Sequence, residues 1–195
     1  MTYLAIGLIL FLGVHSVRIF AESWRQQRLN TLGEAAWKGT YSLISVAGFA
    51  LLIWGYGVAR QNPVVLWVPP VGMRHAASLL TLVSFVLLAA AYVPRNAFKQ
   101  RLKHPMVLSV KVWAFAHLLS NGNLADVVLF GSFLVWAALS FRAARLRDAA
   151  AVVASELSHS LVSRTALTVA VGVGAWAAFA LWAHAPLIGV RPFGA

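Results

Sequence analysis

The chain has 195 residues, of which 61% are hydrophobic and 11% are charged, and its mean hydropathy is +0.78. Ordinary soluble domains carry about 25% charged residues, so this composition excludes a soluble globular protein and predicts a membrane protein. The net charge of +11 does not require nucleic acid, because multi-pass proteins gather such an excess in cytoplasmic loops. The absence of cysteine excludes disulfides, thiolate metal sites and covalent c-type haem.

Six apolar stretches approach the roughly 20 residues that a spanning helix needs. They are residues 3–20, 41–58, 76–93, 105–119, 124–141 and 165–184. The fourth is the shortest, but Pro105 suits a first helical position and Asn121–Gly122 would supply a left-handed stop. The sequence therefore predicts an all-α bundle of about six transmembrane helices that forms one integral membrane domain over residues 1–195.

The region from Arg142 to Arg164 alternates apolar residues with Arg, Asp, Glu and Ser. This pattern fits an amphipathic helix on the cytoplasmic surface, and it fits a solvated connector equally well.

The orientation of the bundle follows from the Lys and Arg residues of alternate loops, because cytoplasmic loops carry the excess. No Lys or Arg precedes the first apolar run, so this run reads as a retained helix rather than a signal peptide. One side of the predicted bundle holds Arg25, Arg28, Lys38, Arg95, Lys99, Arg101, Lys103, Arg142, Arg145, Arg147 and Arg164, and the other holds only Arg60, Arg74 and Arg191. We therefore expect six spans with both termini on the non-cytoplasmic side.

Histidines within spans are the first candidates for chemistry, since polar groups inside lipid are expensive. His15 and Arg18 share one face of the first span, and Arg18 would either pair with an anion or extend its charge to the lipid headgroups. His15 would otherwise hydrogen-bond to a neighbouring helix. In the fourth span, Trp113, His117 and Asn121 recur every four residues as one stripe, although Trp113 could simply pack and Asn121 could cap the helix.

The histidine pattern favours haem over zinc. No HExxH motif or comparable pair at zinc-ligand spacing occurs. Two histidines from different helices within apolar walls are what a six-coordinate b-type haem requires, and His15 with His117 is the best pair. His75 and His104 are weaker candidates because both lie at the ends of spans.

Four blocks of sequence resemble a known family. They are HSVR at residues 15–18, KHPM at 103–106, WAFAHLLSNG at 113–122 and LFGSF at 129–133. In this order they resemble the NnrU family over nearly the whole chain. The resemblance implies a polytopic protein of the bacterial inner membrane that is associated with denitrification and nitric oxide reduction.

The NnrU family is itself similar to the plant 15-cis-zeta-carotene isomerases, which use haem b to isomerise a cis double bond. That similarity implies His15 and His117 as the haem ligands. The plant enzymes carry a cysteine in the block that contains the second ligand, and the matching position here is Ala114. This departure leaves haem binding possible but argues against the redox-dependent ligand switch of those enzymes, and hence against their isomerase mechanism, in this chain.

Two classes of function are compatible with the sequence. The first is a haem b protein in which His15 and His117 are axial ligands, Arg18 pairs with a propionate, and Trp113 and Asn121 line the pocket. Such a protein would support nitric oxide reduction or act as a redox protein or isomerase on a hydrophobic small molecule, with membrane lipid or a nitric oxide reductase system as partner. The second is a transporter or assembly factor that is not an enzyme and binds no haem, whose histidines relay protons or bind a partner helix.

The topology can be tested with reporter fusions. Reporters fused after Arg28, Lys99 and Arg147 should all read as cytoplasmic, because these loops carry the Lys and Arg excess. A periplasmic signal from the Lys99 fusion would contradict the arrangement with six spans.

Overall fold

The computed structural model describes residues 1–150 and 161–193, and the described residues form α-helices, one π-helical turn and no strand. The elements are α1 (Thr2–Phe20), α2 (Glu22–Leu32), α3 (Glu34–Ala59), α4 (Gly72–Tyr92), α5 (Ala97–Leu102), α6 (Pro105–Ser120), α7 (Leu124–Ala150), α8 (Leu161–Ala178), the π-helical turn (Phe179–Ala183) and α9 (His184–Ile188). The predicted all-α class is thus confirmed.

Five helical segments within the described ranges are long and apolar enough to cross a membrane: α1, α3, α4, Leu124–Ala149 of α7, and the run Leu161–Ile188. Helix α6 is also apolar, but its 16 residues extend only about 24 Å at 1.5 Å per residue, which is less than the roughly 30 Å hydrocarbon core. The predicted multi-pass membrane protein is confirmed, and of its six predicted spans the fourth, α6, falls short of the length that a span needs.

The structure corrects the expected left-handed stop after α6. The helix ends at Ser120, but neither Asn121 nor Gly122 adopts a positive φ. Glycine serves a different purpose here, because a Cβ at position 122 would overlap the backbone carbonyl of Trp67. Gly122 therefore allows two backbone segments to approach each other closely.

Helix α7 extends beyond the predicted end of the fifth span at residue 141. Helix α7 continues without a break to Ala150, so the first part of the expected connector belongs to this helix. The next described helix begins at Leu161. The remainder of the proposed amphipathic segment, residues 151–160, lies outside the described residues.

The chain divides into two compact units. The first comprises residues 1–68 and 121–143, and the second comprises residues 69–120 and the described part of 144–195. The interpretation of the chain as a single domain stays a prediction.

In the first unit, three glycines allow α1 and α3 to pack in backbone contact. A Cβ at Gly7 would lie 2.5 Å from the backbone nitrogen of Leu52, and one at Gly48 would lie 2.8 Å from that of Phe11. A Cβ at Gly55 would overlap the backbone of Leu4. Small residues at helix interfaces are the usual means of close packing between membrane helices, where dispersion contacts replace the hydrophobic effect.

In the second unit, one side-chain amide joins the end of α4 to the start of α5. Asn96 is fully buried, and its Nδ2 donates to the carbonyls of Ala90 at 2.9 Å and Val93 at 2.6 Å. Its Oδ1 accepts from the backbone nitrogen of Lys99 at 2.8 Å and so caps α5. The Asn96 side chain alone thus pairs with two carbonyls and one backbone N–H of this turn.

The contact between α1 and α3 can be tested with matched glycine substitutions. Gly55→Ala should lower the free energy of unfolding by about 1–3 kcal/mol, because the new methyl group meets backbone that has to move. Gly13→Ala in α1 is the control, since nothing lies within 4 Å of its Cβ position. Unfolding of both variants in one detergent would measure the difference, and equal stability would contradict the close contact.

Candidate functional site

His15 lies in α1, and its ring is oriented by a hydrogen bond within the helix. Its Nδ1 donates to the carbonyl oxygen of Phe11 over 2.6 Å. A carbonyl oxygen can only accept, so Nδ1 carries the proton and the lone pair of the neutral ring is on Nε2. Metal-ligating histidines are commonly held in this way, with one nitrogen bonded to the protein and the other facing the metal.

Three aromatic rings surround the His15 ring. The ring centroid of Phe11 lies 4.4 Å away, that of Tyr41 lies 5.2 Å away, and that of Trp136 lies 6.1 Å away in an edge-on arrangement. These rings come from α1, α3 and α7 of the first unit. The indole Nε1 of Trp136 is buried and has no hydrogen-bond partner among the described residues. Most buried side-chain donors have a hydrogen-bond partner, so this indole departs from the usual pattern.

A cavity of about 590 Å³ lies next to His15, which is within the 300–1,000 Å³ typical of ligand pockets. Residues of α1, α2 and the first turns of α3 line it. The apolar part of its lining includes Val14, Val17, Leu29 and Trp37. The charged and polar part includes Arg18, Arg25, Lys38, Glu34, Gln26 and Asn30. The cavity is therefore amphipathic and has an imidazole in its wall.

The cations of the cavity are held by two glutamates. Glu22 contacts Arg18 at 3.8 Å and Arg25 at 2.9 Å, and Glu34 contacts Lys38 at 2.6 Å. Most of these side chains are well exposed, and exposed ion pairs contribute only about 0–1 kcal/mol each. With three cations and two carboxylates, the cluster retains a positive charge that an anionic group could neutralise.

His117 lies in α6, in the second unit, and repeats the arrangement found at His15. Its Nδ1 donates to the carbonyl oxygen of Trp113 over 2.8 Å, and the two rings lie 5.1 Å apart. The lone pair of its neutral ring is thus also on Nε2. The predicted contact between Trp113 and His117 is present, whereas Asn121 lies one residue beyond the end of the helix.

The other candidate histidines lie in different surroundings. The Nε2 of His104 contacts Asp148 at 2.9 Å, so the nitrogen that would bind iron is engaged by a carboxylate. His75 is exposed in the first turn of α4. His184 has the same tautomer as His15, with Nδ1 donating to Val190 at 2.7 Å. In residues 1–150 and 161–193, no group of three or more His, Asp or Glu side chains could hold a metal ion.

Sequence reasoning identified His15 and Arg18 but missed the residues that complete their surroundings. Arg25 and Lys38 enter the sequence analysis only as charges that predict the orientation of the bundle. Arg25 follows the first predicted span and Lys38 precedes the second, and this placement at the ends of two consecutive spans is a signal that could have indicated a shared site. Tyr41 and Trp136 could not be found from spacing, because their proximity to His15 depends on how different helices pack. Asp148 was missed as the partner of His104, from which it is 44 residues distant.

Comparison with known proteins gives one clear result. A family model described as NnrU protein matches residues 3–192. The chain belongs to the NnrU family. The match includes both units, and with them His15, Arg18, Trp113 and His117. No curated protein and no solved structure matched the chain. This NnrU protein is thus a multi-pass membrane protein whose site has to be interpreted from its own residues.

Proposed function

We propose that this NnrU protein binds haem b in the bacterial inner membrane, with His15 and His117 as the residues that would hold the iron, and serves redox chemistry linked to nitric oxide reduction. The observation that carries the proposal is the amphipathic cavity beside His15. It combines an oriented imidazole, aromatic walls and a cationic end. A haem b site requires an imidazole for the iron, apolar surface for the macrocycle and cations for two propionates.

The residues of the first unit meet these requirements. The helix fixes the orientation and the tautomer of the His15 ring through the carbonyl of Phe11. Trp37 and Tyr41 provide flat apolar surface in the cavity wall, and the rings of Phe11 and Trp136 contact the His15 ring. Arg18 and Arg25 present planar guanidinium groups whose donors match carboxylates, and Lys38 adds a third charge.

His117 is the proposed second ligand because it shares the tautomer of His15. Trp113 supplies both the carbonyl that fixes the His117 ring and an aromatic surface beside it. His104 is a poorer candidate, since a carboxylate already engages its Nε2. Asn121 stays a prediction as a pocket residue.

Haem b held by the imidazoles of His15 and His117 would supply one-electron transfer. This chain has no thiol to support a ligand switch, and Ala114, at the corresponding position, is fully buried in α6. We therefore favour redox chemistry over cis–trans isomerisation. A transporter or assembly factor without haem is the alternative that the experiments below would reveal.

The ligands can be tested by absorption spectroscopy of the protein purified in detergent after expression with sufficient haem. We expect a low-spin Soret spectrum that His15→Ala and His117→Ala each abolish or convert to high spin, because each removes one imidazole. His184→Ala is the matched control, since His184 has the same tautomer, and it should leave the spectrum unchanged. Absence of any Soret band in the unaltered protein would refute haem binding, and loss of low spin in His104→Ala alone would reassign the ligand.

The cationic end of the cavity can be tested by reduction potential. Arg18→Gln, Arg25→Gln and Lys38→Gln should each weaken haem retention and lower the potential by an amount on the order of tens of millivolts, because a nearby positive charge disfavours the ferric state. Arg18→Lys should recover much of the potential and less of the retention, since an ammonium lacks the planar fork.

Arg28→Gln provides the control for these variants. Arg28 lies in the same short helix as Arg25 but stacks over the ring of Trp24 at 5.5 Å and does not line the cavity. Its removal should leave retention and potential unchanged. Equal shifts in the Arg28 and Arg25 variants would assign the effect to general surface charge instead of contact with propionates.

A further inference from the structure

The connection after α3 is an exposed apolar loop. Residues 64–68 read Val-Val-Leu-Trp-Val, and all five are exposed, with Val68 at 84%. No charged residue occurs between Arg60 and Arg74. Connections between helices are normally polar, and a contiguous exposed apolar segment marks an interaction surface.

Backbone hydrogen bonds hold this loop against the start of α7 within the first unit. The nitrogens of Leu66 and Trp67 both donate to the carbonyl of Gly122, at 2.8 and 3.2 Å, and Leu124 donates to the carbonyl of Val64 at 2.8 Å. Gly122 permits the approach because it has no Cβ. The loop therefore has a defined conformation, and several of its backbone polar groups are satisfied without water.

The position of the loop along the helix axes can be estimated from contacts in the last turns of α3. Tyr3 and Trp54 form an exposed aromatic pair with ring centroids 4.5 Å apart, and such residues mark the boundary between lipid and water. The hydroxyl of Tyr56 in α3 donates to Asp126 in α7 at 2.5 Å, so these two residues lie at a similar height along the helix axes. At 1.5 Å per residue, Tyr56 is about 3 Å beyond Trp54, and Leu124 is about 3 Å beyond Asp126.

The attachment of Val64 to Leu124 therefore lies about 6 Å from the aromatic pair along the helix axes. The interfacial layer on each side of the hydrocarbon core is about 5–7 Å thick, so this attachment lies within that layer. Its apolar side chains and its single tryptophan suit the boundary between headgroups and acyl chains.

We propose that residues 64–68 form a lipid-inserted loop whose partner is the phospholipid of the adjoining leaflet. The last turns of α3 also carry exposed apolar side chains, including Ile53 and Trp54, and residues 61–73 carry no charge that would oppose insertion. The proposal does not depend on haem binding.

The absence of cysteine makes the test direct, because a single introduced cysteine can carry a spin label. Labels at Val68→Cys and, independently, at Val65→Cys would be measured in phosphatidylcholine–phosphatidylglycerol vesicles for accessibility to oxygen and to a water-soluble nickel chelate. Val46→Cys in the middle of α3 is the lipid reference, and Gln27→Cys in the polar helix α2 is the aqueous reference. All four positions are exposed, so the label adds little strain to the fold.

We expect the labels at Val68 and Val65 to be severalfold less accessible to nickel than the label at Gln27, and to be accessible to oxygen. Nickel accessibility equal to that of Gln27 would place the loop in water and overturn the proposal. Dipolar broadening that disappears on dilution with unlabelled protein would show that a second copy of the chain covers the loop. Low accessibility to both reagents without broadening would show burial against protein, and either result would also overturn lipid insertion.

Discussion

The backbone contact between α1 and α3 determines where the cavity of the first unit lies. Gly55 opposite Leu4, Leu52 opposite Gly7 and Gly48 opposite Phe11 maintain one antiparallel register. Because α1 and α3 are antiparallel, the same register places the start of α3 beside the last turns of α1. Tyr41 accordingly contacts His15, and Lys38 lines the same cavity as Arg18. Larger residues at these glycines would separate the helices and remove the aromatic surroundings of His15.

Helix α2 contributes much of the polar lining of the cavity at the end of the α1–α3 pair. It is polar and has no buried residue, yet it contributes Arg25, Gln26, Leu29 and Asn30 to the cavity. It is joined to α3 by Gly33, whose φ of +80° favours glycine because this residue has no Cβ. The spanning helices thus provide the apolar walls, and the short polar helix provides much of the polar end. An amphipathic cavity follows from the change in composition where the first span ends.

Much of the architecture could be predicted from the sequence, because spanning helices have a strong signal in length and hydropathy. His15 and Arg18 were identified by spacing within one helix, and His117 with Trp113 in the same way. The failures have physical causes. Spacing along one helix says nothing about Tyr41 or Trp136, which reach His15 only through packing between helices. Gly122 was assigned a left-handed turn from its residue type, whereas its role depends on Trp67, far away in the chain.

The turn at Asn96 has a consequence for sequence variation and chemical ageing. The amide nitrogen donates to two carbonyls while the amide oxygen accepts from Lys99, so the position requires donors and an acceptor in fixed places. Aspartate has nearly the same shape, but it would turn two attractive contacts into repulsions between oxygen atoms. Leucine would remove the hydrogen-bond partner of three backbone groups, of which the carbonyl of Ala90 lies in a buried contact. Spontaneous deamidation of this one asparagine would therefore be more damaging than the loss of any exposed amide, and complete burial, which limits access of water to the side chain, is its protection.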